Sequence, residues 1–271
     1  MTIKEINESV EEASALKSIA SAYTEISALR LKRIRQQVLR TRAFFIEILN
    51  IYAMLRHIPM HRKIVKPSEK KASIILTSNN RFYGHIESGV IQFFLSYKDP
   101  GDLYVIGKSG KESLSALNFK FKSIIFKDDI PGAEEIVNLA NMVRNYQSVL
   151  VYYARFKSVL IQVPVAVDIT QTQVQAVEQS QRIDEAYIFE PEVPKILNFF
   201  DAQLKQVLIE QTFLETELAR TSSKLISMDN AQNNADEFLE KQRIFLSQAK
   251  RSLQNTRILE TITSMIQNKN L

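Results

Sequence analysis

Apolar positions recur at three- and four-residue steps at both ends of the chain and gather into short, dense runs in the middle. Near the start, Ile3, Ile6, Val10, Ala13, Leu16, Ile19, Tyr23 and Ile26 follow the helical spacing. Near the end, Leu225, Met228, Ala231, Ala235, Phe238, Gln242, Phe245, Ala249 and Leu253 do the same. Both rows have the spacing of an interhelical seam. The central runs SIILTS (73–78), DLYVIG (102–107), KSIIFK (122–127), VLVYYARF (149–156) and VLIQVPVAV (159–167) read as strands. Between them, 85–97 and 132–147 carry the 3.6-residue pattern of amphipathic helices. Asp128 or Asp129 stands ready to open the second, with Pro131 in its first turn.

The helix breakers sharpen this division. Every glycine lies between Gly84 and Gly132, and every proline between Pro59 and Pro194. Residues 2–58 and 195–271 therefore contain nothing that removes a backbone donor or demands a positive φ. At 1.5 Å per residue they make helices of roughly 85 Å and 115 Å. A domain of about 100 residues cannot cover helices of that length, so their apolar faces need each other or a partner. The chain between them folds at one end and returns, which makes the pair antiparallel, and Ala231, Ala235 and Ala249 allow close approach.

The expected fold class is α+β: a long antiparallel coiled coil of the N- and C-terminal helices plus a small central α/β domain with a mostly parallel sheet. The boundaries fall at 1–58 for the first helix, 59–194 for the central domain and 195–271 for the last helix. A polar, Gln-rich connection occupies 168–186. The last two strands, joined at Lys157 and Ser158, are placed to form a hairpin at the sheet edge.

Composition removes several function classes. There is no cysteine, so disulfides, thiolate metal sites and cysteine nucleophiles are excluded. His57, His61 and His85 show no ligand spacing and read as surface or interface residues rather than metal ligands. No run of about 20 apolar residues exists, and the start MTIKEINESVEE is acidic, which predicts neither membrane span nor targeting peptide. The net charge of +5 favours an acidic partner without choosing between nucleic acid, lipid and protein.

Candidate chemistry is sparse. TSNNRFYGH, between a strand and a helix, is where a phosphate loop would lie, but it offers only Gly84, and no lysine precedes a Ser or Thr at the helix start. GKSG (107–110) lacks the preceding glycine, no good helix follows it directly, and its glycines shape a turn. No nucleophile pattern or carboxylate pair supports catalysis, and no cofactor is implied. The basic run RLKRIRQQVLRTR (30–42) is either a solvated helix face or a contact with an acidic protein. Nucleic acid is disfavoured because no aromatics interleave with the charges.

Several segments, in order along nearly the whole chain, resemble the gamma subunit of F-type ATP synthases. SIASAYTEISALRLKRIR is similar to the family's ITKAMxMVAxxKLRR helix through Ile19, Ala22, Ile26, Ala28, Arg30, Leu31 and Arg33. ILTSNNRFYGHIES resembles the SDRGLCGGLN turn through Ser78 and Gly84, and VIGKSG resembles the GxKG strand end. YYARFKSVLIQVP is similar to YNxFxSxxxQxP, matching Tyr153, Phe156, Ser158, Gln162 and Pro164. YIFEPEVPKIL resembles YxFEPxxxxIL through Tyr187, Phe189, Glu190, Pro191, Ile196 and Leu197. Finally, 217–239 resembles ExxARMxAMxxATxNAxxLI with Glu217, Met228, Ala231, Asn234 and Ala235 in register.

The resemblance implies a non-catalytic central-stalk subunit, cytoplasmic and peripheral to the membrane through its complex. It would sit within a hexamer of catalytic and non-catalytic nucleotide-binding subunits, with its globular domain near an epsilon-type subunit and the membrane rotor ring. The implied hexamer contacts are Arg30, Arg33, Lys224, Met228, Asn234, Lys250 and Arg251, and the implied seam residues are Ile19, Ala22, Ile26, Ala231 and Ala235. Two departures stand out. The family's RQxxIT segment reads here as Lys250, Arg251, Ser252, Leu253, Gln254 and Asn255, and Arg81 and His85 stand in the turn that is elsewhere glycine-rich. These leave open a gamma-like shaft of a specialised, non-synthase rotary ATPase; a coiled-coil scaffold or tether is the reading from another class.

Overall fold

A computed structural model of the protein describes residues 3–56, 68–80, 85–97, 101–170 and 193–269. Ten elements follow in order: α1 (Ile3–Arg56), β1 (Ser68–Leu76), α2 (Ile86–Tyr97), β2 (Asp102–Ile106), α3 (Lys108–Ala116), β3 (Lys122–Ile124), α4 (Ala133–Met142), β4 (Tyr146–Phe156), β5 (Gln162–Asp168) and α5 (Val193–Lys269). The connection after Thr170, the Tyr187–Pro191 motif, His57 and His61 lie outside the described residues. The chain divides into two compact units: Met1–Ala28 with Leu225–Leu271, and Leu29–Lys224. Both long helices have segments in each.

In the larger unit the sheet has the order β3-β2-β1-β4-β5. β1 pairs in parallel with β2 and β4, and β2 with β3. β5 returns antiparallel along β4, from Phe156 opposite Gln162 to Leu150 opposite Asp168, as the expected edge hairpin. The sheet is buried on both faces, so its central strands read as continuous apolar runs. Ile74, Leu76, Tyr104, Ile106, Val151 and Tyr153 meet α4 and the Leu208, Ile209 and Phe213 face of α5. Ile75, Val105 and Tyr152 meet α2 and Leu114 of α3.

Two local expectations are corrected. GKSG does lead directly into a helix, α3, because Gly107 at φ +100° turns the chain where a side chain would strike the Thr77 carbonyl. The helix expected at 132–147 ends at Met142. Its N-cap is Gly132, whose N–H donates to Glu135, while Asp129 turns away to accept from Asn79 N–H in the turn after β1.

α1 and α5 pack side by side in the same unit. Ile48, Leu49, Tyr52 and Leu55 close on Leu197, Leu204 and Val207, and Ile34 and Val38 close on Leu214 and Leu218. Rising numbers on α1 meet falling numbers on α5, so the pair is antiparallel. From Thr212 to Ser223 every residue of α5 is buried, although eight of these twelve are polar or charged. Their hydroxyls are satisfied within the helix: Thr212 donates to Ile209 O, Thr216 to Thr212 O and Ser222 to Leu218 O.

In the smaller unit the seam differs from the expected one. Ile6, Ala13, Ala20 and Ser27 are buried, with Ile3, Val10, Lys17 and Thr24 half-buried between them. On α5 the row is Leu225, Met228, Gln232, Ala235, Leu239, Gln242, Leu246 and Ala249. Both rows alternate three- and four-residue steps without a break, the 3.5-residue period of a coiled coil. Ala235 and Met228 lie in this row. Ile19, Ala22, Ile26 and Ala231 do not: they are exposed, Ile19 at 54% and Ile26 at 59%. Lys17 Nζ reaches Asp236 at 2.6 Å and fixes the antiparallel register there.

Candidate functional site

The C-terminal end of β1 is where an open α/β sheet presents ligands, at the point where neighbouring strands lead chains in opposite directions. Among the described residues, five backbone donors of that end are spent internally. Gly107 N–H donates to Ile124 O, Ser109 N–H to Ser78 O, and Gly110 N–H to Thr77 Oγ1 at 2.9 Å. Asn79 N–H donates to the Asp129 carboxylate at 2.7 Å, and Ser78 N–H to Glu87 at 2.9 Å. Carboxylates thus occupy the Ser78 and Asn79 amides, two of the donors that a phosphate at this strand end would need.

What lies at this end instead is a buried ionic network. Glu217 of α5, fully buried, takes Arg30 of α1 at 2.8 Å and lies 3.9 Å from Arg220. Arg220, itself buried, reaches Glu87 of α2 at 3.2 Å. Burial pushes the Glu217 carboxyl above its ordinary range, against the pull of Arg220 and Arg30. Burial and the nearby Arg30 lower Lys224.

A second network lies two residues earlier on α5. Glu215 accepts from Arg42 of α1 at 2.7 Å, from Tyr153 Oη of β4 at 3.0 Å and from Gln211 at 3.1 Å, and lies 3.9 Å from Arg155. Burial alone would raise this carboxyl, but the bonds from Arg42, Gln211 and Tyr153 hold it below the ordinary range. Tyr153 is pushed up to about 12 by burial and the Glu215 charge. Sequence reasoning missed Arg42, Glu215 and Arg220 as site residues. The available signal was the run of charged and hydroxyl residues at 212–223, in the middle of an otherwise apolar-striped helix.

The expected contact residues fall in two groups. In the larger unit Arg30 turns to Glu217, Arg33 is exposed, and Lys224 is half-buried. In the smaller unit Met228 belongs to the seam, while Asn234, Lys250 and Arg251 are exposed. The smaller unit also exposes large apolar residues: Leu16, Ile19 and Ile26 on α1, and Phe238, Phe245, Leu253, Ile258 and Ile262 on α5. Apolar stripes of this extent mark surfaces made for a partner. Among the described residues no helix is long and apolar enough to cross a membrane.

A five-stranded mixed sheet packed with the antiparallel stretches of α1 and α5 in its own unit defines the class, and the chain belongs to the ATP synthase family, whose model matches residues 2–265. Within the family it is of the gamma-chain type. The ATP synthase gamma chain of Ruminiclostridium cellulolyticum is 23% identical over 285 residues, covering 96% of each chain. Among solved structures, a chain of the Euglena gracilis mitochondrial ATP synthase, from its OSCP/F1/c-ring in rotational state 3, matches with a TM-score of 0.67 at 14% identity. That match covers 97% of this chain and 94% of the other. A chain of the central stalk and c-ring of the Tetrahymena thermophila mitochondrial ATP synthase matches with a TM-score of 0.58 at 18% identity, over 79% of this chain and 99% of the other.

Proposed function

We propose that this chain is the non-catalytic central-stalk subunit of an F-type rotary ATPase, transmitting torque between a catalytic hexamer and a membrane rotor. The observation that carries this reading is the pair of apolar stripes beside a seam that is already closed. Leu16, Ile19 and Ile26 keep more than half of their surface exposed beside that seam, which leaves them available to a second surface. The catalytic and non-catalytic nucleotide-binding subunits supply that surface, with Asn234, Lys250 and Arg251 as polar contacts in the same unit and Arg33 as a contact in the larger one. The sheet domain faces an epsilon-type subunit and the rotor ring, which makes the chain peripheral to the membrane on the cytoplasmic side. An asymmetric helix pair offers a different face to each catalytic subunit and biases each toward a different conformation.

The test is assembly with an F-type hexamer. The chain alone hydrolyses no ATP, and it raises turnover when it co-assembles. A chain that never joins the hexamer, or that self-associates in its place, sinks this reading in favour of a tether. Lys250–Asn255 in place of the usual RQxxIT favours a second reading, a specialised motor without synthase function. Its mark would be a native complex that contains the hexamer but no rotor ring.

A further inference from the structure

We infer that Glu215 and Glu217 form a phase lock, fixing the rotational setting of the α1/α5 pair against the sheet within Leu29–Lys224. Residues two apart on an α-helix point about 200° apart around its axis, so the two carboxylates grip α5 from nearly opposite sides. Each bridges an arginine of α1 to the globular layer. Glu215 joins Arg42 to Tyr153 on β4. Glu217 joins Arg30, through Arg220 and Glu87, to the Ser78 N–H at the end of β1.

An apolar seam resists separation, but it resists rolling poorly, because ridges of aliphatic side chains admit neighbouring settings of similar energy. Buried charge-assisted bonds are directional, and a buried carboxylate stripped of its partners is heavily penalised. Rolling α5 in either sense pulls both carboxylates off their partners at once, so the two grips do not relieve one another. Twelve consecutive buried residues around them, 212–223, exclude the water that would soften those bonds. This inference deepens the stalk reading and rests on it for its purpose: a subunit that carries torque needs a joint that does not slip. The lock itself is a property of the isolated chain and is tested there.

The chain has no cysteine, so two labels can be placed cleanly. Gln36→Cys on α1 and Lys157→Cys on the β4–β5 turn are both exposed and lie in the same unit. Spin labels at these sites, measured by pulsed electron resonance on the full chain, give one narrow distance distribution. In the E215Q/E217Q double variant that distribution widens at least twofold. Should the double variant fail to fold, R30M and R42M, which remove half-exposed partners, widen it on their own, and R42K restores part of the width. An unchanged width in folded variants overturns the lock. With the hexamer present, the angular spread of a bead on the sheet domain grows at least twofold in the same variants. If the wild type fails to assemble, the stalk reading fails, while the label distances still decide the lock.

Discussion

Glu215 and Glu217 are two residues apart on one helix and both are buried, yet their proton affinities move in opposite directions. Glu215 is held low because three donors reach it despite burial. Its ionised form is favoured in the fold, so it stabilises the protein at pH values above the unfolded carboxyl pKa of about 4.3, and that contribution is lost as pH falls through the lower folded value. Glu217 is raised by burial. Its contribution is fully present at low pH and is lost as pH rises through the folded value. Urea unfolding across pH 3–8 therefore shows the wild-type advantage over E215Q shrinking toward acid pH, while E217Q removes a loss of stability that the wild type shows as pH rises. Slopes of the same sign for both variants would contradict this assignment. At neutral pH the E215Q variant leaves Arg42 and Arg155 without their shared carboxylate, and because both arginines are half-exposed and can turn to water, the loss is about 1–3 kcal/mol.

At the scale of elements, much of the architecture was readable. The absence of glycine and proline from both ends marks α1 and α5, and the β-branched runs mark all five strands. The seam register was not fully readable, and the reason is specific. The first row begins correctly at Ile3, Ile6, Val10 and Ala13, then takes consecutive three-residue steps to Leu16 and Ile19 and slips off the seam. The continuing row holds Lys17, Ala20, Thr24 and Ser27, which hydrophobicity passes over in favour of the larger neighbours. A strict 3.5-residue count from Ile6 to Ile34 recovers it, because period outranks side-chain size in a coiled coil. α3 was missed because Ser109 and Gly110 in its first turn carry little helical propensity, and Gly107 and Thr77 set its start through tertiary contact. The register makes a prediction: Leu239→Ala lowers stability by ~2–4 kcal/mol, whereas Phe245→Ser stays within about 0.5 kcal/mol. Circular-dichroism melts of the full chain distinguish them. Equal losses would return Phe245 to the seam.

For the molecule as a whole, the question is which part of the long helices serves the fold and which serves the complex. In the smaller unit, counting along the antiparallel pair from Lys17 and Asp236 brings Ile6 opposite Leu246 and Ala249. Beyond that point α5 gains little from α1, and from Lys250 to Met265 every residue is exposed. Yet Leu253, Ile258, Leu259, Ile262 and Met265 are large and apolar, an arrangement costly to leave in water unless a partner covers it. Removing residues 254–271 should thus separate the two roles. The remaining helix pair keeps its melting transition within about 0.5 kcal/mol, since among the described residues the deleted stretch is exposed throughout, 254–265. Hexamer-stimulated ATP turnover falls severalfold, because the deleted stripe belongs to the partner surface. A truncated chain that no longer folds would assign those residues to the fold, and full stimulation without them would move the working contact onto the Leu16–Ile26 stripe of α1.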